Sequence, residues 1–276
     1  MRSVVLYGLL LVPVNLYAQT CLPQNFSLNR GEVVNYDIYF KWGLLMPHAG
    51  EGRLSYGETT YSNQPASLYR LLFRTTGVLE SFYRMRDTFE CHFAPSDHTL
   101  LYSVKRSDEG GRYTVDELTF SYANNRTDIH SYRYTPRKVR IDTTLTVKSG
   151  RVTDMLGTTF FVRTLDWEKL DSENNFPLTV AVGRDLVAII LRYQGQAIVE
   201  RDNVKYKTHY FLVDIYDEIF TQKKSAAELW VGDDANHIPI KIRSKLKIGS
   251  AEIYYKNSSN LKAPLDCRIE TAKPKR

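Results

Sequence analysis

The stretch Val34-Asn35-Tyr36-Asp37-Ile38-Tyr39-Phe40 alternates apolar side chains with more polar ones. Successive residues of a β-strand point to opposite faces of a sheet, so this period of two predicts a strand with one buried face. Runs of similar character recur along the chain. They are 68–75, 86–93, 100–106, 113–122, 139–147, 186–193, 196–200, 207–215, 227–231, 240–248 and 251–256.

Turn residues separate many of these runs. The turn signals are Gly110-Gly111, Asn124-Asn125, Gly195, Asp233-Asp234-Ala235-Asn236 and Gly249. Turns at intervals of about 8–12 residues favour an antiparallel meander over alternating strands and helices. About a dozen strands must also protect their sheet edges, and a curved sheet that closes on itself does so. The fold class predicted is therefore mainly β, a large antiparallel curved sheet forming a pseudo-barrel.

Two segments have helical character. Residues 153–167 carry apolar side chains at helical spacing behind Thr153, a candidate cap, and 77–85 could form a shorter helix between strands. The longer helix would plug the barrel or cover an open face. It also divides the predicted single domain, 19–276, into β-subdomains of about 24–150 and 151–262 that share a sheet, followed by a basic C-terminal tail at 263–276.

Composition excludes several classes of protein. The 276 residues are 43% apolar and 25% charged, which is ordinary for a globular protein and unlike a disordered or low-complexity chain. The formal net charge of +6 is spread along the sequence without an aromatic-basic motif, so nucleic acid is not an expected partner. No apolar run of about 18 residues predicts a transmembrane helix.

Residues 1–18 resemble a secretory signal peptide. A positive start at Arg2 precedes a short apolar run, and Ala18 supplies the small residue that signal peptidase requires. Cleavage there would leave 258 residues, exported to the periplasm or associated with the outer envelope. The alternative is a lipoprotein anchored at Cys21, but Gln19 and Thr20 fit a lipidation site poorly, so we expect no lipid.

Three cysteines remain after that cleavage. An oxidising compartment would allow one disulfide. The pair Cys21 and Cys267 is the candidate, because the two ends of a domain often lie close together. The alternative is that Cys91 is a buried apolar residue and the other two are free.

The sequence lacks the common catalytic motifs, including a Gly-x-Ser-x-Gly elbow, a His-Glu-x-x-His helix and a phosphate-binding loop. We therefore expect no enzyme activity and no cofactor. The alternative is a hydrolase in which Asp87 meets Asp233 or Asp234. Glu90 and His92 offer a second acid–base set with Asp87, although Asp87 faces the other side of the strand.

The group Asp233, Asp234 and His237 is a weak candidate for a metal site, since carboxylates and imidazole are metal ligands. The same residues are typical of a tight turn between strands, and we expect no metal there.

Aromatic residues provide the candidate binding site. Rings stack on sugars and line lipid pockets. The candidates are Trp42, Phe82, Tyr83, Trp167 and Trp230, and the alternative for each is core packing. The function expected is non-enzymatic binding of a lipid, glycan or other envelope component. The alternative is a structural or assembly module that recognises a protein partner by sheet-edge addition.

Four segments resemble a bacterial exported family, the domain of unknown function 3108. They are Tyr39-Phe40-Lys41-Trp42-Gly43-Leu44 with Ala49-Gly50, Ser81-Phe82-Tyr83-Arg84-Met85-Arg86-Asp87-Thr88, Val152-Thr153-Asp154-Met155-Leu156 with Arg163-Thr164-Leu165-Asp166, and Glu228-Leu229-Trp230-Val231 with Asp233-Asp234, Pro239 and Gly249-Ser250. The resemblance implies an envelope protein with a β pseudo-barrel of two subdomains, similar to lipoproteins linked to capsule or exopolysaccharide export. It supplies no catalytic residue.

Overall fold

The computed structural model describes residues 28–216 and 223–269 as one mainly antiparallel sheet with two α-helices, in which only the pair β9–β10 is parallel. The helices are α1 (Gly77–Phe82) and α2 (Met155–Arg163). The strands are β1 (Val33–Lys41), β2 (His48–Tyr61), β3 (Gln64–Thr75), β4 (Met85–Phe93), β5 (Leu100–Glu109), β6 (Arg112–Ala123), β7 (Arg126–Thr135), β8 (Lys138–Val147), β9 (Val152–Thr153), β10 (Asn175–Val182), β11 (Asp185–Arg201), β12 (Val204–Tyr216), β13 (Lys223–Gly232), β14 (Pro239–Lys245), β15 (Ser250–Ser259) and β16 (Arg268–Ile269).

The sheet runs as one path from β8 back to β1, crosses to β15, and continues to β10 and β9; β16 pairs with β12. The ends of the path approach each other. Arg184 donates to the Arg140 carbonyl at 3.0 Å, and the Ser131 hydroxyl donates to the Gly183 carbonyl at 2.6 Å. The sheet is therefore a nearly closed barrel, sealed by the β10–β11 turn rather than by a ladder between β8 and β10.

One face of each strand supplies the core. Val34 pairs with Leu54, Leu54 with Leu71, and Leu71 with Phe89, which places apolar side chains in a row across β1 to β4. All four belong to, or pack against, one hydrophobic cluster. Burial of this row follows from the period-two pattern that the sequence shows.

Helix α2 fills the barrel. Asp154 caps it by accepting a hydrogen bond from the Gly157 amide at 2.6 Å, as acidic side chains at helix N-termini do. Phe160 is only 1% exposed and stacks on Phe93 with ring centroids 4.3 Å apart. The interior at this level is a packed core.

Arg163, at the end of α2, is completely buried and joins distant parts of the chain. Its guanidinium donates to both carboxylate oxygens of Glu32, at 2.5 and 3.2 Å, and to the Asn236 carbonyl. The Asn236 side chain in turn bonds to the backbone of Ala263 and Pro264. The helix is thereby fixed to the start of the sheet and to the segment that follows β15.

The predicted fold class is confirmed, with differences in detail. The helix predicted over 153–167 spans only Met155–Arg163 and is capped by Asp154, not by Thr153, which lies in β9. The turn predicted at Gly195 is a bulge within β11, where the backbone φ is +105°. Glycine takes that conformation readily, so the strand bends there and continues.

Five strands escaped the sequence patterns. They are β2, β7 and β10, together with the two-residue strands β9 and β16. In β2 the pattern is interrupted by Gly50, where a side chain would come within 2.3 Å of the Arg74 carbonyl oxygen. The predicted division into two subdomains stays a prediction, and residues 1–27 and 270–276, which include the predicted signal and part of the basic tail, lie outside the described residues.

Candidate functional site

Three neighbouring loops leave the barrel at the same end. They are the β1–β2 hairpin, the β3–β4 connection that contains α1, and the β14–β15 hairpin. Since β3, β2, β1, β15 and β14 are adjacent in the sheet, these loops stand side by side. We call the apolar residues that they expose the apolar rim: Trp42, Leu44, Leu45, Leu79, Phe82, Tyr83, Leu246 and Ile248.

Specific contacts hold the loops together. The backbones of Trp42 and Leu45 exchange hydrogen bonds of 2.9 and 3.0 Å, which closes the first hairpin. Gly249 turns the second hairpin with φ +70°, and a side chain there would come within 2.1 Å of the Lys41 carbonyl oxygen. His48 and Thr76 join the first hairpin to α1 through a 3.1 Å hydrogen bond. The rim is therefore one ordered surface.

The rim concentrates exposed apolar surface. Eight of the fourteen large apolar side chains that are exposed in the described chain belong to it. Leu44 is fully exposed, Phe82 is 83% exposed and Ile248 is 65% exposed. Single exposed apolar residues are common on proteins, but a contiguous cluster indicates a surface that contacts another molecule.

Basic residues surround the rim. Lys41, Lys245 and Lys247 flank the two hairpins, and Arg84 follows α1. Neither hairpin tip, 42–47 or 246–249, contains an acidic residue. The acid within α1, Glu80, is paired with Arg86. Arg84 in turn pairs with Asp108, and Lys41 lies 3.8 Å from the buried Glu252. The surface is thus apolar at its tips and bordered by basic residues, two of which are paired with acids.

The predicted aromatic residues do not form one site. Trp42, Phe82 and Tyr83 lie on the rim, whereas Trp230 and Trp167 lie elsewhere. Two clefts, of about 440 and about 500 Å³, are lined by other residues. The structure therefore brings three of the five candidates to a common surface and does not place the set around a cavity.

Trp167 belongs to a cluster at the opposite end of the barrel. Its ring stacks on His237 at 4.1 Å, and it also contacts His209. His209 bonds to Tyr193 and to Asp233, each at 3.0 Å. Burial, together with the positive charge of Lys262, lowers the pKa of His237 to about 3. His237 is therefore neutral near pH 7.

Trp230 lies in a network on the sheet. It stacks on Tyr210 with centroids 4.9 Å apart, and the Lys241 ammonium lies 4.8 Å from its ring centroid. Tyr210 donates to Glu228, which also pairs with Arg243. The faces of the Trp230 ring already contact protein groups, which favours a packing role for Trp230 over a ligand-binding role.

The candidate metal ligands serve other contacts. Asp233 accepts from Gln196 and contacts His209, while Asp234 accepts from the amides of Asn236 and Cys267. The Asn236 contact is that of a turn, and the other three join the turn to β11, β12 and the chain before β16. Within 28–216 and 223–269, no three His, Cys, Asp or Glu residues are grouped so that they could hold a metal ion.

The acid–base candidates on β4 are separated as the alternation predicts. Asp87 is buried and lies 3.3 Å from the Lys105 ammonium; burial raises its pKa above the ordinary value. Burial alone would also raise the pKa of Glu90, but Arg106 and Arg70 bind it and lower the pKa overall. Asp87 lies near the rim end of its strand, and Asp233 and Asp234 follow β13 at the other end, so the sheet places them far apart.

Two of the three cysteines lie in the part of the chain that the structure describes. Cys91 and Cys267 are both buried and form no disulfide with a described residue. Cys21 lies outside the described residues, so the predicted pairing of Cys21 with Cys267 stays a prediction.

The sequence patterns missed Leu44, Leu45, Leu246 and Ile248, which are the apolar tips of the two hairpins. A signal was present. The segments Gly43-Leu44-Leu45-Met46-Pro47 and Leu246-Lys247-Ile248-Gly249 place apolar residues among turn residues, where polar side chains are usual. In the described chain, no helix has the length and apolar character needed to cross a bilayer.

Comparisons with known proteins concern the fold and the family. The family model described as "Protein of unknown function (DUF3108)" matches residues 35–256. A crystal structure of a beta-barrel-like protein of the domain of unknown function DUF1849 from Brucella abortus is similar, with a TM-score of 0.58 and 10% identity. The alignment covers 86% of this chain and 100% of that one, and shows the shared fold. The search of curated proteins found no match.

Proposed function

The chain belongs to the DUF3108 family, and on that premise we propose that it is an exported, non-enzymatic envelope protein that binds a lipid surface through its apolar rim. The observation that carries the proposal is the cluster of exposed apolar side chains on three adjacent loops. The predicted signal at residues 1–18 supports the location.

The chemistry of the rim favours a bilayer over a soluble apolar ligand. Leu44, Phe82 and Ile248 project outward instead of lining a pocket. Projecting apolar side chains enter the boundary between headgroups and acyl chains, where Trp and Tyr rings are also favoured. The lysines around the tips would meet anionic headgroups, each contributing about 1 kcal/mol near the surface.

Vesicle flotation tests this proposal. The chain beginning at Gln19 is mixed with vesicles of one part phosphatidylglycerol to two parts phosphatidylcholine. We expect the protein to float with the vesicles, and Ile248→Glu to weaken partitioning at least about tenfold, because burying an isoleucine is worth about 1.5–3 kcal/mol.

The matched control is Ile198→Glu, which changes a comparably exposed isoleucine, 56% against 65%, at the opposite end of the barrel. This variant should float like the unmodified protein. Absence of vesicle binding, or equal effects of the two substitutions, would refute the bilayer proposal. Intact mass of protein made with its full sequence in a bacterial host tests export, since cleavage after Ala18 would leave 258 residues.

A second candidate function, recognition of a protein partner, is favoured by β8. This ten-residue strand ends the sheet path and pairs only with β7 among the described residues. The β10–β11 turn covers part of its outer edge, where Arg184 donates to the Arg140 carbonyl, and a partner strand could pair with the remainder. A photo-crosslinking residue at the exposed position Thr144 should give a discrete protein adduct in cells if this function operates. If a crosslinker at Leu44 gives lipid adducts and a crosslinker at Thr144 gives no protein adduct, the result would favour bilayer binding alone.

A further inference from the structure

The cleft of about 500 Å³ lies on the outer face of the sheet, over β1 to β4. Its floor is the backbone around Gly52, Phe73 and Asp87, which pair with one another across β2, β3 and β4. The residues on either side of these three point outward and form the walls. The cleft is therefore separate from the packed core and from the apolar rim.

Four cations line the cleft: Arg53, Arg74, Arg86 and Lys256. Three of them are neutralised. Arg74 and Lys256 pair with Glu51, Lys256 also contacts Asp37, and Arg86 pairs with Glu80.

Arg53 differs from the other three. It is exposed and forms no ion pair with a residue in the part of the chain that the structure describes. One positive charge in the cleft thus has no counterion among residues 28–216 and 223–269, and a guanidinium is suited to bidentate contacts with carboxylate or phosphate.

The neighbours of Arg53 are hydrogen-bonding groups with one apolar surface. Asn35 and Leu72 lie directly opposite Arg53 on the adjoining strands, and Thr88 lies opposite Leu72. The Asn35 amide donates to the Asn257 side chain at 2.7 Å, which orients both carboxamides at the cleft. Leu72 is 43% exposed between Arg53 and Thr88.

We propose that this cleft binds a saccharide that carries an anionic group, with the carboxylate or phosphate on Arg53. Carboxamides and a hydroxyl bind sugar hydroxyls by exchanging hydrogen bonds, and Leu72 contacts the apolar face of the ring. The charged group could belong to a free glycan or to a glycolipid headgroup, and the chemistry at Arg53 is the same for both. The inference goes beyond the proposed rim function, because it concerns another surface and requires no bilayer.

Titration calorimetry with the chain from Gln19 tests the proposal. The probe is a tetrasaccharide containing glucuronate, and the neutral comparison is cellotetraose. We expect the acidic probe to bind, binding to weaken as salt rises, and Arg53→Gln to reduce the affinity at least about tenfold, the effect expected for loss of a charged hydrogen-bonded contact. Cellotetraose should bind more weakly than the acidic probe.

Arg112→Gln is the control, since Arg112 is likewise exposed and lies outside the cleft. It should leave binding unchanged. Thr88→Trp keeps the charge but fills the cleft, and it should also abolish binding. Circular dichroism of each variant reports whether it remains folded. Absence of binding, equal affinity for the neutral probe, or unchanged affinity in Arg53→Gln would overturn the proposal.

A second arm identifies the source of the anion. Phosphatidylinositol vesicles present an anionic, hydroxyl-rich headgroup. If Arg53→Gln weakens binding to phosphatidylinositol vesicles but not to phosphatidylglycerol vesicles, the anion belongs to a lipid headgroup. If the soluble tetrasaccharide binds and Arg53→Gln leaves binding to both kinds of vesicle unchanged, the anion belongs to a free glycan. Ile248→Glu tests the rim and Arg53→Gln tests the cleft. Failure of the rim proposal is therefore distinguishable from failure of the cleft proposal.

Discussion

The buried pair of Arg163 and Glu32 offers a stringent test of how this barrel is stabilised. The side chain of Arg163 is 0% exposed and that of Glu32 is 2% exposed, and two contacts of 2.5 and 3.2 Å join them. Burial opposes the charge on Arg163, but Tyr69 and Glu32 outweigh it and raise its pKa. Arg163 therefore stays charged in the folded protein.

The perturbation is Glu32→Gln, which keeps the shape of the side chain and removes its charge. Leaving one member of a buried ion pair without its partner costs about 3–5 kcal/mol. For a domain of this size each kcal/mol corresponds to about 2–4 °C in Tm, so the loss corresponds to about 6–20 °C. Urea unfolding followed by tryptophan fluorescence gives the free energy, and calorimetry gives the Tm.

Two comparisons make the reasoning testable. The double variant Glu32→Gln with Arg163→Met removes both charges and should recover at least half of the loss, because no unpaired charge remains buried. Glu58→Gln breaks the exposed pair with Arg30, and its effect should stay below about 1 kcal/mol. A Glu32→Gln effect as small as that of Glu58→Gln, or a double variant no more stable than Glu32→Gln, would refute the argument.

Three further predictions follow from buried or crowded groups. Burial raises the pKa of Asp154 above its ordinary 3.8, so its contribution to stability is full below that value and is lost as pH rises through the folded-state pKa. Asp154→Asn should therefore show, by urea titration, an unfolding free energy that falls less as pH rises above about 4. Burial and the adjacent Asp154 raise the pKa of the Cys91 thiol, so iodoacetamide should label Cys91 only after unfolding, and labelling of the native protein by peptide mapping would contradict its placement. Gly249→Ala should lower the Tm and weaken vesicle binding, because the added methyl group meets the Lys41 carbonyl; an unchanged Tm in calorimetry would show that the hairpins are not in contact.

The strand content could be predicted because each half-buried strand repeats a local rule. Val34, Tyr36 and Ile38 show the rule clearly, and β1 begins and ends close to the predicted limits. The rule fails where a close strand approach requires a small residue, or where cross-strand ion pairs require polar ones. Position 50 requires glycine because the backbone of the neighbouring strand passes within contact distance. In β7, charged residues pair with the adjacent strand, as Arg133 does with Asp116, and this conceals the alternation of apolar and polar side chains.

The candidate site was less predictable, because it depends on which loops the topology brings together. Aromatic content pointed to Trp42 and Phe82, but nothing local shows that the β1–β2 and β14–β15 hairpins are neighbours, since β1 and β15 are more than 200 residues apart. The same applies to Arg53: that it has no acidic partner in the described part of the chain is visible only once the ion pairs of Arg74 and Lys256 are known.

Fluorescence quenching by brominated lipids tests the central claim, bilayer contact through the rim, most directly. The chain has three tryptophans, and Trp167→Phe with Trp230→Phe leaves Trp42, which is 60% exposed on the rim. Vesicles of phosphatidylglycerol and brominated phosphatidylcholine should quench Trp42 strongly, whereas a variant that retains only Trp230 should be quenched little. Unquenched Trp42, or equal quenching of Trp42 and Trp230, would contradict the claim that the rim enters the bilayer.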